Sequence, residues 1–237
     1  MQTPDKTRLG IEWSDGGFQL IPATDPRKPK FILKKLLAQY VWDITQSEDN
    51  PMSFLDVQTV LDGITVGGYK TEDFNQALNQ AKALRELSNL VGNPEWSLSK
   101  KLATHLHSFV AREEALAWGE FRKGAVGISG TSYQPPPPEL LDTIYESGIN
   151  EIKKITNPVE KAVIYFLWAS LNQFFYDGNK RTGRLVMNYL LMNNGYYYLT
   201  VPAEKKEEFN SGMVDFYNTR NADGMIRFMR DCYKNWD

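Results

Sequence analysis

The chain has one cysteine, two histidines and no long run of like charge or of apolar residues. Each scarcity closes off a class of protein. Cys232 alone cannot build an internal disulfide framework and fits a reducing compartment. His105 and His107 stand two apart on an expected helix, so they face different directions and make a poor metal pair; both read as structural. Lysine and arginine (27) nearly balance aspartate and glutamate (29), and no basic run supports electrostatic nucleic-acid binding. No apolar segment is long enough, and free enough of polar residues, to span a membrane. The polar, charged N-terminus lacks the apolar stretch of a signal peptide, so a cytoplasmic location is expected. Internal repeats and long low-complexity stretches are missing as well.

What is present is mainly helical patterning. Helices are expected near 30–46, 53–62, 71–91, 97–117, 138–154, 157–174, 179–194, 204–219 and 221–234. Residues 1–29, with Gly16, Gly17, Pro22, Pro26 and Pro29, read as an irregular arm that Trp13, Phe18, Leu20 and Ile21 could dock on the core. Val91-Gly-Asn-Pro94 is the natural boundary between an N-terminal helical region, 1–95, and a core, 96–237. The two would pack closely, since no long flexible linker joins them. Phe216, Tyr217, Phe228, Tyr233 and Trp236 read as core rather than as stacking platforms.

The most charged turn lies between two of the most apolar helices. Asn157-Pro158-Val159-Glu160 starts a helix that is apolar on nearly every side and therefore buried. The segment from Leu185 to Met192 is similar and stops at Asn194-Gly195. Between them runs Phe175-Tyr-Asp-Gly-Asn-Lys-Arg-Thr-Gly-Arg184. Gly178 permits unusual backbone angles there, and the free N–H groups of roughly Asn179 to Thr182 mark the positive end of the second helix. Arg181 and Arg184, three apart, share a face, and Asp177 stands where it could hold a magnesium ion between phosphates. The bland alternative is a helix start capped by Asp177, with its arginines in water.

Asp177-Gly-Asn-Lys-Arg-x-x-Arg184, with Phe175 before it, resembles the active-site motif of Fic (Fido-fold) proteins, His-Pro-Phe-x-Asp/Glu-Gly-Asn-Gly/Lys-Arg-x-x-Arg. Most such proteins transfer AMP from ATP to hydroxyl groups of target proteins. Gly119-Glu-Phe-Arg122, Val126-x-Ile128-x-Gly130 and Tyr133-x-Pro-Pro136 are similar to the flap that precedes the site in that family. Leu61-x-Gly63 and Asn79-x-x-x-Ala83-Leu84 resemble its N-terminal helices, so coverage runs from about residue 40 to the end. The resemblance implies an all-α Fido fold with a short β-hairpin flap. It also implies ATP with Mg²⁺ as ligand, phosphate contacts from Gly178, Asn179, Lys180, Arg181 and Arg184, and metal binding by Asp177.

One departure bears on chemistry. Where the family has His-Pro, this chain has Gln173-Phe174. The family histidine is the general base, and a glutamine amide cannot hold a proton near neutral pH. Phe174, bulky and apolar, is expected to pack into the core. A second family device is a glutamate that pairs with the last arginine of the motif and blocks productive ATP binding. Thr45-Gln-Ser-Glu-Asp49-Asn50 fits it in one of two registers, with either Asp49 or Glu48 in the glutamate place. The second register puts Glu48, Asp49 and Asn50 on the family's Glu-Gly-Asn. A solvated acidic loop is the plain alternative.

In the family the flap adds a strand to the target backbone. Here residues 124–134 would do so, with Val126, Ile128 and Tyr133 as contacts, and Pro135 to Pro138 would stiffen its exit as polyproline II. A proline-rich ligand for another module is the other reading of those prolines. Partners expected are therefore ATP and a target protein at the flap, with a homo-oligomer also open, and neither nucleic acid nor membrane. Three functional readings remain: a nucleotide-binding Fic protein with transfer weak or lost, an active AMP- or phosphate-group transferase using another base, and a non-catalytic interaction protein.

Overall fold

A computed structural model describes residues 4–14 and 18–237; the Gly16-Gly17 pair read in the arm lies outside them. The fold is built on a hairpin of two buried helices, α8 (Pro158–Asn172) and α9 (Asn179–Asn193). The α8 start follows its sequence: Asn157 Oδ1 accepts from the N–H of Val159 (2.9 Å) and of Glu160 (3.1 Å). Glu160 does not complete a capping box, because its carboxylate accepts instead from Trp13 Nε1 at 2.7 Å. Tyr165 and Trp168, with rings 5.9 Å apart, bury one face of α8, and Phe166 is buried as well. Gly183 lets α9 close on it, since a Cβ there would meet Phe166 Cδ2 at 3.1 Å. Helix α9 ends at Asn194, and Gly195 N–H donates to Met192 O at 3.1 Å.

Around the hairpin lie α1 (Lys6–Leu9), α2 (Lys28–Lys35), α3 (Leu37–Gln46), α4 (Phe54–Leu61), α5 (Thr71–Leu90), α6 (Lys100–Val110), α7 (Leu141–Lys154), α10 (Lys206–Thr219) and α11 (Asp223–Cys232). Helix α9 packs on α5 and α6, while α3 packs on α4 and α5. The expected helix 30–46 is divided at Leu36, but Leu36 N–H still bonds Ile32 O and Tyr40 N–H bonds Leu36 O, so the interruption is a kink. The helix expected at 97–117 stops at Val110, and the charged stretch after it forms turns. Two helices open with a single 3₁₀ turn, at Pro138–Leu140 and Ala203–Lys205.

The arm is more ordered than its composition suggests. Leu9, Ile11, Trp13 and Phe18 are buried, Leu20 packs against the core, and Glu12 forms an isolated parallel bridge with Asn221. Ile21 is the exception, at 66% exposed.

The β-hairpin flap does not form. Among the described residues, 119–137 contain no strand. The reason is a choice of partners: no cross-strand ladder links the two arms, and the segment is tied to the helices instead. Arg122 N–H donates to Phe174 O at 2.9 Å, and Thr131 Oγ1 donates to Asn218 Oδ1 at 2.5 Å. Tyr133 stacks on Tyr217 with rings 6.4 Å apart, under the guanidinium of Arg220.

Candidate active site

The turn between α8 and α9 is shaped by two left-handed residues. Gln173 closes α8 at φ 46°, and Gly178 opens α9 at φ 70°, where a side chain would press on Val110 and Ala111 at 3.2 Å. Asn179 staples the loop: its Oδ1 accepts from Phe175 N–H (2.9 Å), and its Nδ2 donates to Phe175 O (2.8 Å) and Gln173 Oε1 (3.0 Å). Gln173 Nε2 in turn donates to Ser170 O at 2.7 Å. The amide of Asn179 is thus committed to the turn. Thr182 N–H is committed too, donating to Gly178 O at 2.8 Å, so the donors left at the helix start are those before it. Asp177 is not the cap. Its Oδ1 accepts from Gly178 N–H at 2.5 Å, and Gly178 takes the cap position.

His107 holds the turn from below. Its Nδ1 accepts from Gly119 N–H at 3.0 Å, so the proton sits on Nε2, which donates to Asp177 O at 3.0 Å. The ring lies flat on Phe175, 3.7 Å between centroids. Burial pushes its pKa down from 6.5 to about 4, against the raising effect of the Asp177 carbonyl. A neutral buried histidine contributes stability that is full above pH 6.5. That stability is lost as pH falls towards 4, because the unfolded ring takes up a proton that the folded one does not. Against a His107→Gln variant, the wild type is expected to lose about 3 kcal/mol across that window, read from thermal unfolding at pH 7 and pH 4.5. Equal pH slopes for the two would show that His107 does not carry the effect. His105 is a separate structural histidine, 2.6 Å from Glu86 and with its ring tilted against that of Trp96, 4.6 Å between centroids.

Both arginines are buried, which removes the solvated alternative. Arg181 Nη1 donates to Glu114 Oε2 at 2.7 Å, and its Nη2 lies 3.5 Å from Asp177 Oδ2. Burial alone would weaken its charge, but Glu48, Glu114 and Asp177 outweigh it and hold the pKa above the usual arginine value. Arg184 Nη2 donates to Ser47 Oγ at 3.0 Å and sits 3.6 Å from Glu48 Oε1. Here burial wins over Glu48, and the pKa falls. Arg181 Nε, Arg184 Nε, Arg184 Nη1 and Glu48 Oε1 are buried without a hydrogen-bond partner. Lys180, its charge also weakened by burial, lies 5.8 Å over the ring of Phe209.

A cavity of about 520 Å³ opens over the turn. Gln173, Asp177, Gly178, Asn179, Lys180 and Arg181 line it, joined by Glu48 and Asp49 from the end of α3 and Ile128 from the flap. Arg184 does not reach its wall; Ser47 and Glu48 stand there instead. Asn50 also lies off the wall and anchors the chain after α3, its Nδ2 donating to Asp73 O and Gln76 Oε1 at 3.0 Å each. Asp49, at φ 62°, pairs with Lys206. Val126 and Tyr133 are not on the wall, whereas Asn210, Met213, Val214 and Tyr217 of α10 are.

Three contributors escaped sequence reading. Glu114 sits in Arg112-Glu-Glu114, within the expected helix 97–117 and part of no motif. Ser47 lies in the acidic stretch but carries no charge to mark it. Arg122 was legible only as part of a flap motif. It is buried, and its guanidinium donates to three carbonyls, of Gln173 (2.6 Å), Gly124 (2.7 Å) and Pro136 (2.5 Å).

A buried helical hairpin on a mainly helical fold thus turns Lys180, Arg181 and helix-start N–H groups towards a cavity, an arrangement suited to an anion. Residues 97–191 match the model of the Fic/DOC family. Curated relatives include the protein adenylyltransferase Fic of Drosophila grimshawi, 27% identical over 206 residues. The match covers 84% of this chain and 42% of that protein, so the chain spans well under half the length of that relative. Its counterpart in Drosophila melanogaster is 26% identical over 205 residues, 84% of this chain and 41% of the relative. Among solved structures, Fic-1 of C. elegans superposes with a TM-score of 0.73 at 22% identity, covering 86% of this chain and 61% of that one. A Fic domain containing signaling protein from Bacteroides thetaiotaomicron gives 0.72 at 19% identity, covering 88% and 86%. These likenesses are of fold.

Proposed function

We propose that the chain binds a nucleoside triphosphate, ATP with Mg²⁺, in the cavity over the α8–α9 turn, and that AMP transfer to a target hydroxyl is weak or lost. The observation that carries this reading is the set of buried, unpartnered guanidinium N–H groups on Arg181 and Arg184. Such donors are costly to leave unmade, and phosphate oxygens beside the open helix start would satisfy them. Gln173 supplies no proton acceptor of useful basicity. No helix among the described residues is long and apolar enough to cross a membrane.

The metal fits on the same terms. Asp177 is an exposed carboxylate on the cavity wall, and no group of three potential metal-ligating side chains occurs among the described residues. A single carboxylate suits a Mg²⁺ ion that arrives with the phosphates and keeps its waters. When bound, the ion would neutralise phosphate charge.

Glu48 is the brake in this reading, which selects the register that puts Glu48-Asp49-Asn50 on the family's Glu-Gly-Asn. The N-terminal region, 1–95, then supplies a carboxylate that screens Arg184 of the core, 96–237, from the cavity. A target protein would lie along residues 124–134, where Ile128 reaches the cavity. Isothermal titration of the full chain with Mg-ATP tests the reading. Wild type is expected to bind weakly and Glu48→Ala about tenfold more tightly, because Arg184 is released to phosphate. No heat from either protein at millimolar nucleotide would refute ATP binding here.

A further inference from the structure

A second cavity, of about 280 Å³, is lined by α3, by residues 198–204 after α9 and by residues 232–236 at the end of α11 and beyond. At its wall is Asp43, a carboxylate 2% exposed. Oδ1 of Asp43 accepts from Gln39 Nε2 (3.0 Å) and Ala203 N–H (3.2 Å); among the described residues no lysine or arginine forms an ion pair in contact with the carboxylate, and the buried Arg184 acts on it only from a longer distance. Burial accordingly lifts its pKa to about 6, against those hydrogen bonds. Tyr40 lines the same cavity and is 3% exposed; its hydroxyl and the buried Oγ1 of Thr200, also on the wall, make no hydrogen bond of normal length, although Trp236 faces the first and Asp43 the second. Three oxygen-bearing groups therefore share one small cavity whose one wall cation, Lys234, is exposed at the rim. The ring of Tyr198, 4.7 Å from that of Tyr40, and the half-exposed Trp236 complete an aromatic wall.

We infer that this cavity is a binding site for a small primary alkylammonium ion, held by the Asp43 carboxylate and the Tyr40 and Thr200 hydroxyls. A primary ammonium has three N–H donors, matching these three acceptors. Aromatic faces favour a cation and its alkyl chain. The volume falls below the ~300–1,000 Å³ of sites for drug-sized ligands, so the occupant has few heavy atoms and is not a nucleotide. A divalent metal is a poor fit, because Asp43 is the one buried carboxylate on the wall and Glu204, also on it, is exposed to solvent. Lys234, exposed at the rim, is the one cation of this chain on the wall.

Isothermal titration of the full chain with n-butylammonium chloride at pH 7.5 tests the site. Butanol serves as the neutral isostere and tetramethylammonium as a cation without N–H. Saturable binding of butylammonium is expected, with none for butanol and at least tenfold weaker binding of tetramethylammonium. Asp43→Asn, which keeps the Oδ1 acceptor for Gln39 and Ala203, should abolish binding. Tyr40→Phe, which removes only the hydroxyl, should weaken it about tenfold. Thermal unfolding of both variants confirms that they fold. Absence of binding, equal binding by Asp43→Asn, or equal binding of butanol would overturn the assignment. So would binding that emerges only in Lys234→Ala, which would make Lys234 the resident cation.

Discussion

Gln173→His is expected to raise AMP transfer from ATP by about 10²–10⁴-fold over the wild type, the usual contribution of a positioned general base. In the reaction the target hydroxyl oxygen bonds to the α-phosphorus, pyrophosphate leaves, and the imidazole takes the hydroxyl proton. The local geometry favours the needed tautomer. Ser170 O, which now accepts from Gln173 Nε2 at 2.7 Å, would accept from Nδ1–H and leave the Nε2 lone pair facing the cavity. Asn179 Nδ2 would lose one acceptor but keep Phe175 O at 2.8 Å, so the turn should persist. With Glu48 still beside Arg184, the single variant is expected to fall short of Gln173→His/Glu48→Ala. The measurement is incorporation of α-phosphate label from ATP into lysate proteins. Label with the wild type equal to that with Gln173→His would mean another base works here, and the weak-transfer reading falls.

Arg122→Ala is expected to be the most destabilising single change near the site, by about 3–5 kcal/mol. The side chain reaches no carboxylate; its donors satisfy carbonyls from the end of α8, the start of the flap and the proline run. Truncation orphans all three at once in a water-poor place. For a chain of this length the loss corresponds to a fall in Tm of about 10 °C. Arg122→Lys should recover only part, since an ammonium lacks the planar fork that spans separated acceptors. A Tm within about 2 °C of wild type for Arg122→Ala would show that the clamp is dispensable. The left-handed backbone of Gln173 is held by this clamp, so any loss of nucleotide affinity in Arg122→Lys would report on site geometry as well as stability.

The elements that sequence described well are those whose signals are local. The Asn157 cap, the all-round apolarity of α8 and the Gly195 stop are short-range features, and helices α8 and α9 appear within a residue or two of expectation. Phe174 is buried, as a bulky apolar residue in that place should be. The flap failed for the complementary reason. Its glycines and β-branched residues suit a hairpin, but a hairpin also needs a ladder, and the segment spends its bonds on Phe174, Asn218 and Arg122.

The same division runs through the site. Identity and order along Phe175–Arg184 are enough to specify a tight, glycine-opened, cationic turn, because cap, dipole and side-chain charge are all set within a few residues. Which groups answer those charges is a matter of long-range packing. Glu114 meets Arg181 across 67 positions of sequence, and Ser47 meets Arg184 across 137. Nothing periodic connects such pairs, so only the folded chain, by packing α3 and the α6 end around α9, decides that one arginine faces the cavity and the other lies behind a carboxylate.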